Sequence, residues 1–379
     1  MPDLNYPLIP TNKDCTALRE EVRDFLSDAL PPGYGPARRA RSWTGFDAGF
    51  SRKLGAKGWI GMTLPMEYGG GERTPIERHV VVEELLAAGA PVAAHWIADR
   101  QSAPMVLQNG TEEQRRAILP KIAAGECYFC IGMSEPDSGS DLASVRGKAE
   151  KVADGYRLNG TKLWTTYAHE SHYMIALFRT SQSDDRHGGL SQFLVDLSTP
   201  GIEIRPVLDI AGEHHFNEVR FTDVVLPETT LLGNEGDGWK QVMSELSFER
   251  SGPERFLSSF ALLDEVHRCL GSERDRSDNR VMGRQLAHLM VLRHMSRSVA
   301  GKLENGERPD LHAAIVKDLG AVFEQQVPEI ARTLVSADRA DADYNATFRH
   351  IRLTAPCFSL RGGTREVLRG IIARGLGLR

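Results

Sequence analysis

Near the start of the chain, Leu18, Val22, Phe25, Leu26 and Ala29 recur at helical spacing until Pro31-Pro32-Gly33 stops the run. Phe46, Phe50 and Leu54 predict a second helix ending before Gly58, and further helices fit about 75–90 and about 92–109. A capping-box pattern, Thr111-x-x-Gln114, opens another helix that reaches about Gly125. From Glu126 onward the texture changes. Short β-branched and aromatic stretches follow one another (YFCIGM, YRLNGTKLW, YMIALFRT, LSQFLVDL, GIEIRPVL and EVRFTDVVL), punctuated by Asp154-Gly155, Asn159-Gly160 and Gly188-Gly189. The first two pairs are dipeptides of the kind tight turns require. No helix-length segment intervenes, so the βαβ alternation of a parallel nucleotide-binding sheet is absent and an antiparallel barrel or sandwich is predicted.

After Gly233-Asn234-Glu235-Gly236 the pattern turns helical again, with long amphipathic segments over about 238–270, 280–305, 309–338 and 344–374. The predicted fold class is therefore α+β multidomain. It comprises an N-terminal α-helical domain (1–125), a middle antiparallel β-barrel or sandwich (126–235) and a C-terminal four-helix bundle (236–379).

Composition narrows the function classes. The 379 residues are 41% hydrophobic and 26% charged, an ordinary globular balance. A formal charge of −5 argues against a general nucleic-acid or anionic-membrane binder. No run of about 20 apolar residues offers a transmembrane span. The opening MPDLNYPLIP lacks a basic start and an apolar stretch, so no signal peptide and a cytoplasmic location are expected. Five cysteines (Cys15, Cys127, Cys130, Cys269 and Cys357) are too scattered for a disulfide framework.

Several familiar motifs are missing. There is no GxGxxG after a strand, and Gly233–Lys240 lacks the GK[ST] order of a P-loop. His169-Glu170-Ser171-His172 is one residue short of HExxH, and no cysteine–histidine set has zinc spacing, so no metal is expected. Cys127-x-x-Cys130 lies on an apolar run and reads as two buried cysteines. His214-His215 reads as neutral imidazoles on a loop or strand edge rather than as a ligand pair.

One stretch carries chemistry: Met133-Ser134-Glu135-Pro136-Asp137-Ser138-Gly139-Ser140-Asp141-Leu142. Pro136 and Gly139 force tight backbone excursions that expose N–H groups and the hydroxyls of Ser134, Ser138 and Ser140. Such donors suit a diphosphate. A solvated acidic turn is the other reading. About two dozen residues on, Gly160-Thr161-Lys162-Leu163-Trp164-Thr165-Thr166 offers a flat ring and hydroxyls at a strand end, as a redox heterocycle requires; simple packing is the other reading.

Taken together, the two blocks resemble the acyl-CoA dehydrogenases, flavoenzymes with an α-β-α layout. The resemblance extends over almost the whole chain. It includes Pro65–Gly70, Phe193–Asp196, Phe216–Val224, Gly236–Trp239 and the final Gly362-Gly363-Thr364-Arg365-Glu366 block. It implies FAD as cofactor, held by Ile131, Met133, Ser134, Gly139, Ser140, Trp164, Thr165, Thr166, Arg274, Thr364 and Glu366, and an acyl-CoA substrate touching Ser140, Phe248, Arg250 and Gly363. It also implies α,β-dehydrogenation to the trans-2-enoyl-CoA, in which a carboxylate removes the α-proton and a hydride leaves the β-carbon for the flavin. The thioester oxygen must be hydrogen-bonded as enolate charge develops, and the base needs a dry pocket.

Most members of that family place the catalytic glutamate just before the Gly-Thr of the last block, where this chain has Gly362. A minority, of isovaleryl-CoA and long-chain type, carry it on the first helix after the β-domain. Glu249, eleven residues after Gly238 and followed by Arg250, matches that position. A charged pair on a solvated helix face is the plain alternative. The Arg-x-x-Phe-Gly segment that supports FAD from a neighbouring subunit is absent around Arg274 and Arg276, and the adenine-side Gln-x-x-Gly-Gly segment is unrecognisable around Ala342–Thr354. Those losses resemble the heterotetrameric branch acting in steroid breakdown. The resemblance thus implies a homotetramer or a heterotetramer with a second family member, and electron-transfer flavoprotein as electron acceptor. The alternatives are a non-catalytic partner subunit, or an oxidase or monooxygenase on the same fold.

Overall fold

The computed structural model describes residues 4–9, 15–272 and 274–378, and the side chains of residues 245–249 lie outside the described part. In chain order the helices of the first third are α1 (Thr16–Ala29), α2 (Pro36–Arg39), α3 (Ala48–Ala56), α4 (Pro75–Ala87), α5 (Ala93–Ile97), α6 (Ala103–Asn109) and α7 (Glu112–Ala123). The strands are β1 (Phe129–Gly132), β2 (Lys148–Val152), β3 (Gly155–Thr166), β4 (Tyr173–Arg179), β5 (Leu190–Asp196), β6 (Ile202–Leu208), β7 (His214–Leu226) and β8 (Leu231–Leu232). The last third holds α8 (Gly238–Glu249), α9 (Phe260–Leu270), α10 (Arg276–Glu304), α11 (Asp310–Leu334), α12 (Ala342–Phe358) and α13 (Arg365–Gly375). Among the described residues no helix is long and apolar enough to cross a membrane.

The contacts gather these elements into two compact units: residues 48–72 with 94–248, and residues 1–47 with 73–93 and 249–379. The first contains the sheet, ordered β6-β7-β3-β2-β4-β5-β8, with β1 beside β4. Its pairings are antiparallel except β1–β4 and a single β2–β4 pair, Lys148 with Arg179, which are parallel. The inward residues of β3, β4, β5 and β7 make its core. Phe178 stands edge-on to both Phe193 and Phe221, and Tyr156 packs edge-on against Phe193. In the second unit α11 is central, packing on α9, α10, α12 and α13; Met295, Val299, Ala313 and Val316 form one of its core clusters.

Several elements differ from the pattern-based expectation. The helix predicted over 238–270 breaks after Glu249, because Gly252-Pro253 cannot continue it and forms a 3₁₀ turn, Pro253–Arg255. The segment predicted over 344–374 divides into α12 and α13 at Gly362 and Gly363, whose φ angles are +63° and +94°. A π-helical turn, Ala98–Ser102, separates α5 from α6. Asn159-Gly160 is not a turn but lies inside β3, opposite a bulge in β7 formed by Thr222 and Asp223. The Asn159 carboxamide pairs with both the backbone N–H and the carboxylate of Asp223 on β7, and Gly160 (φ +154°) passes so close that a Cβ would stand 2.8 Å from Gly147 Cα.

Candidate functional site

A bulge in β3 builds the central feature of the sheet unit. Lys162 faces Val219 and Thr165 faces Asn217, so Leu163 and Trp164 together oppose the single residue Glu218. In a regular strand Lys162 and Thr165 would point to opposite faces. The extra residue, with Trp164 at φ +59°, turns both inward and throws the indole out. Lys162 and Thr165 are buried, while Trp164 is 56% exposed, its ring edge-on to Phe216. The Thr165 hydroxyl is buried with no hydrogen-bond partner among the described residues. Thr166 ends the strand half-buried opposite Phe216.

The Ser134–Asp141 loop is fastened to the same strand. Leu163 N–H donates to Ser134 O at 2.8 Å, and Lys162 Nζ, fully buried, donates to Glu135 Oε1 at 2.8 Å. Glu135 also accepts the backbone N–H groups of Arg146 and Gly147. Burial lowers the Lys162 pKa to about 8 against the pull of Glu135. Ser138 is not an available donor, since it is buried and its hydroxyl donates to Asp141 O. Gly139 and Ser140 are exposed, and a Cβ on Gly139 would meet nothing within 4 Å. Ile131 is half-buried on β1, and Met133 packs on the Val145, Leu177, Leu190 and Val242 cluster.

Behind the bulge lies a polar cluster that no motif marks. Asn217, fully buried, donates its side-chain N–H to Thr165 O at 3.0 Å and accepts from His169 Nδ1 (3.0 Å) and His214 Nε2 (2.9 Å). The two imidazoles stack with centroids 3.9 Å apart. His215 is buried beside Asp209, at 3.8 Å, and burial lowers its pKa so that the neutral ring is favoured. Cys127 and Cys130 are both buried, and burial pushes each thiol up to about 12, which leaves them unreactive.

The other unit holds the remaining candidates. Arg250, directly after α8, is buried, and its Nη2 lies 3.7 Å from where a Gly363 Cβ would stand. Lys317 Nζ donates to Gly363 O at 2.5 Å. Arg361, just before Gly362, pairs with the buried carboxylate of Glu324 at 3.0 Å and lies over the rings of Trp43 and Phe358. Thr364 caps α13 by accepting the Val367 N–H. Glu366 lies in its first turn, its pKa lowered by its own backbone N–H and by the Thr364 hydroxyl. Arg274 is tied elsewhere, donating to Gly271 O and contacting His267. The side chains of Phe248 and Glu249 fall outside the described residues.

Comparison with known proteins gives the family. Residues 12–126, 130–224 and 236–377 match the N-terminal, middle and C-terminal domains of acyl-CoA dehydrogenases. The chain is 31% identical over 381 residues to acyl-CoA dehydrogenase FadE29 of Mycobacterium tuberculosis, covering 94% of each chain. Among solved structures it resembles the Tcur3481-Tcur3483 steroid ACAD, with a TM-score of 0.85, 25% identity and 99% of each chain covered. It also resembles a chain of the ChsE4-ChsE5 complex from Mycobacterium tuberculosis, with a TM-score of 0.83, 27% identity and 98% of each chain covered. With its bulged tryptophan strand, its tethered serine loop and its glycine turn, the chain belongs to the acyl-CoA dehydrogenase family, oxidoreductases acting on acyl-CoA.

Proposed function

We propose that the chain is an FAD-dependent dehydrogenase that converts an acyl-CoA thioester to its trans-2-enoyl-CoA, with Glu249 as the α-proton base. The observation that carries the reading is the β3 bulge, which turns Trp164 outward and leaves a buried hydroxyl at Thr165 with no partner among the described residues. An exposed indole and nearby hydroxyls fit the ring of a flavin, and the open turn at Gly139-Ser140 fits its diphosphate. Ile131, Met133, Ser134, Gly139, Ser140 and Trp164–Thr166 would hold FAD; Arg274, Thr364 and Glu366 are the further FAD contacts that the family resemblance implies. When bound, FAD supplies the acceptor for the hydride that leaves the β-carbon.

The chain's own residues do the rest. The Glu249 carboxylate takes the α-proton while the α,β double bond forms. The turn at 362–363 supports this choice of base, since positive φ at Gly362 disfavours any side chain at the family's commoner glutamate position. Arg250 is buried rather than solvated, with its guanidinium close to Gly363. Phe248, Arg250, Gly363 and Ser140 would contact the acyl-CoA.

The named steroid complex among the similar structures supports a bulky acyl group and a heterotetramer with a second family member; electrons would pass to electron-transfer flavoprotein. The missing Arg-x-x-Phe-Gly segment around Arg274 favours a FAD site completed by that partner over a homotetramer. The test is anaerobic addition of acyl-CoA thioesters, short through sterol-sized, to the flavin-loaded chain alone and mixed with a second family member. Bleaching of the flavin by one of them is the expected result. Stable yellow colour with every thioester, in both preparations, overturns the dehydrogenase reading in favour of a non-catalytic subunit.

A further inference from the structure

A bulge in a strand is a loss of ladder hydrogen bonds, and something must hold the strand in place at that point. Here Asn217, the register partner of Thr165, stands next to Glu218, the residue opposite the bulge. Its carboxamide is fully buried and makes three hydrogen bonds. The side-chain N–H goes to Thr165 O, inside the bulged segment; the oxygen accepts from His169, on the 3₁₀ turn Ala168–Glu170 that follows β3, and from His214, at the start of β7. Trp164 and Tyr167, on either side of the Thr165-Thr166 pair, are both left-handed, with φ +59° and +53°. Such a conformation costs about 1 kcal/mol or more per residue and persists only where its surroundings enforce it.

We propose that Asn217 is a positioning residue for the reaction: it holds the Trp164–Thr166 segment in the conformation that receives the flavin, and His169 and His214 orient its carboxamide. The proposal rests on the reading that this segment faces FAD. Asn217 touches no reacting atom. Its oxygen is fully occupied by two imidazole donors, so the amide cannot rotate and its N–H stays aimed at Thr165 O. A flavin entering a loosened segment would have to order it on binding, which weakens affinity and misorients the ring.

Three variants of the whole chain, with its partner subunit where FAD uptake needs one, separate the possibilities. Asn217→Asp keeps the oxygen that accepts from both imidazoles and loses the donor to Thr165. Asn217→Leu is isosteric and adds no charge. His169→Ala/His214→Ala removes only exposed side chains and leaves the carboxamide unheld. Amide exchange of the peptide spanning 160–168 in the cofactor-free chain is expected to rise in each. FAD dissociation constants are expected to rise, and kcat to fall by about tenfold to a hundredfold in the Asn217 variants, with KM for acyl-CoA nearly unchanged. The histidine double variant is expected to shift the same way by a smaller factor, and it decides the matter if the Asn217 variants do not fold. Any folded variant with wild-type exchange, FAD affinity and kcat overturns the proposal. Failure of the wild-type protein to bind FAD at all would instead overturn the flavin reading on which it rests.

Discussion

Lys162 and Glu135 form a buried ion pair, 2.8 Å long, that joins the strand bearing Trp164 to the loop bearing Ser134 and Ser140. Removing one partner strands the other charge in a dry interior, which costs about 3–5 kcal/mol, whereas replacing both is far milder. Lys162→Met is therefore expected to destabilise the protein by that amount in urea titration, and Lys162→Met with Glu135→Gln to recover much of the loss. Equal stabilities for the single and double variants would show that the pair does not act as a unit.

The exposed indole makes a separable prediction. Trp164 contributes little to the core, so Trp164→Ala should leave the melting temperature nearly unchanged, a stability change within about 0.5 kcal/mol. FAD binding should weaken by about threefold to tenfold, the range of an aromatic stacking contact. Fluorescence titration of the cofactor reads this directly, and an unchanged dissociation constant would remove Trp164 from the site.

At the glycine turn, Gly362 has φ +63°. Gly362→Ala should cost about 1–2 kcal/mol of stability, the penalty for a Cβ in the left-handed region, measured by thermal unfolding. A neutral or stabilising alanine would mean that the turn tolerates side chains and that its backbone gives no reason for the missing glutamate.

A buried histidine sets part of the acid response. His79 donates or accepts at Ser296 Oγ, 2.9 Å away, and burial lowers its pKa to about 4 although Glu83 and Glu254 pull the other way. The unfolded chain binds a proton near pH 6.5 that the folded chain refuses until about pH 4, so stability falls as pH drops through that window. The loss from this group is on the order of 3 kcal/mol by pH 4. His79→Gln should flatten the stability profile between pH 6.5 and 4; an unchanged slope would assign the acid sensitivity to other groups.

The order of helices, strands and helices along the chain was legible because each element's hydrophobic period is strong and its ends carry Gly, Pro or capping residues. Thr111-x-x-Gln114 is a real capping box, its reciprocal bonds formed. The misreadings have local causes. Asn159-Gly160 is turn-like in composition, but its φ angle and close backbone approach serve a bulge, and a dipeptide cannot distinguish the two. The break at Gly252-Pro253 was visible in the sequence but outweighed by the long apolar period around it. The candidate chemistry was found through Trp164 and the serines. The buried supports, Lys162, Glu135 and Asn217, were not, because charged and amide side chains read as solvent-facing residues wherever a partner distant in sequence is what allows their burial.

The central claim is that Glu249 removes the α-proton, and one experiment addresses it most directly. Glu249→Gln, loaded with FAD and mixed anaerobically with the acyl-CoA that bleaches the wild-type enzyme, is followed by rapid-scan absorbance. The predicted result is retained flavin and bound thioester, with reduction slowed by about 10² to 10⁴-fold, the contribution of a positioned general base. Flavin reduction at the wild-type rate would contradict it.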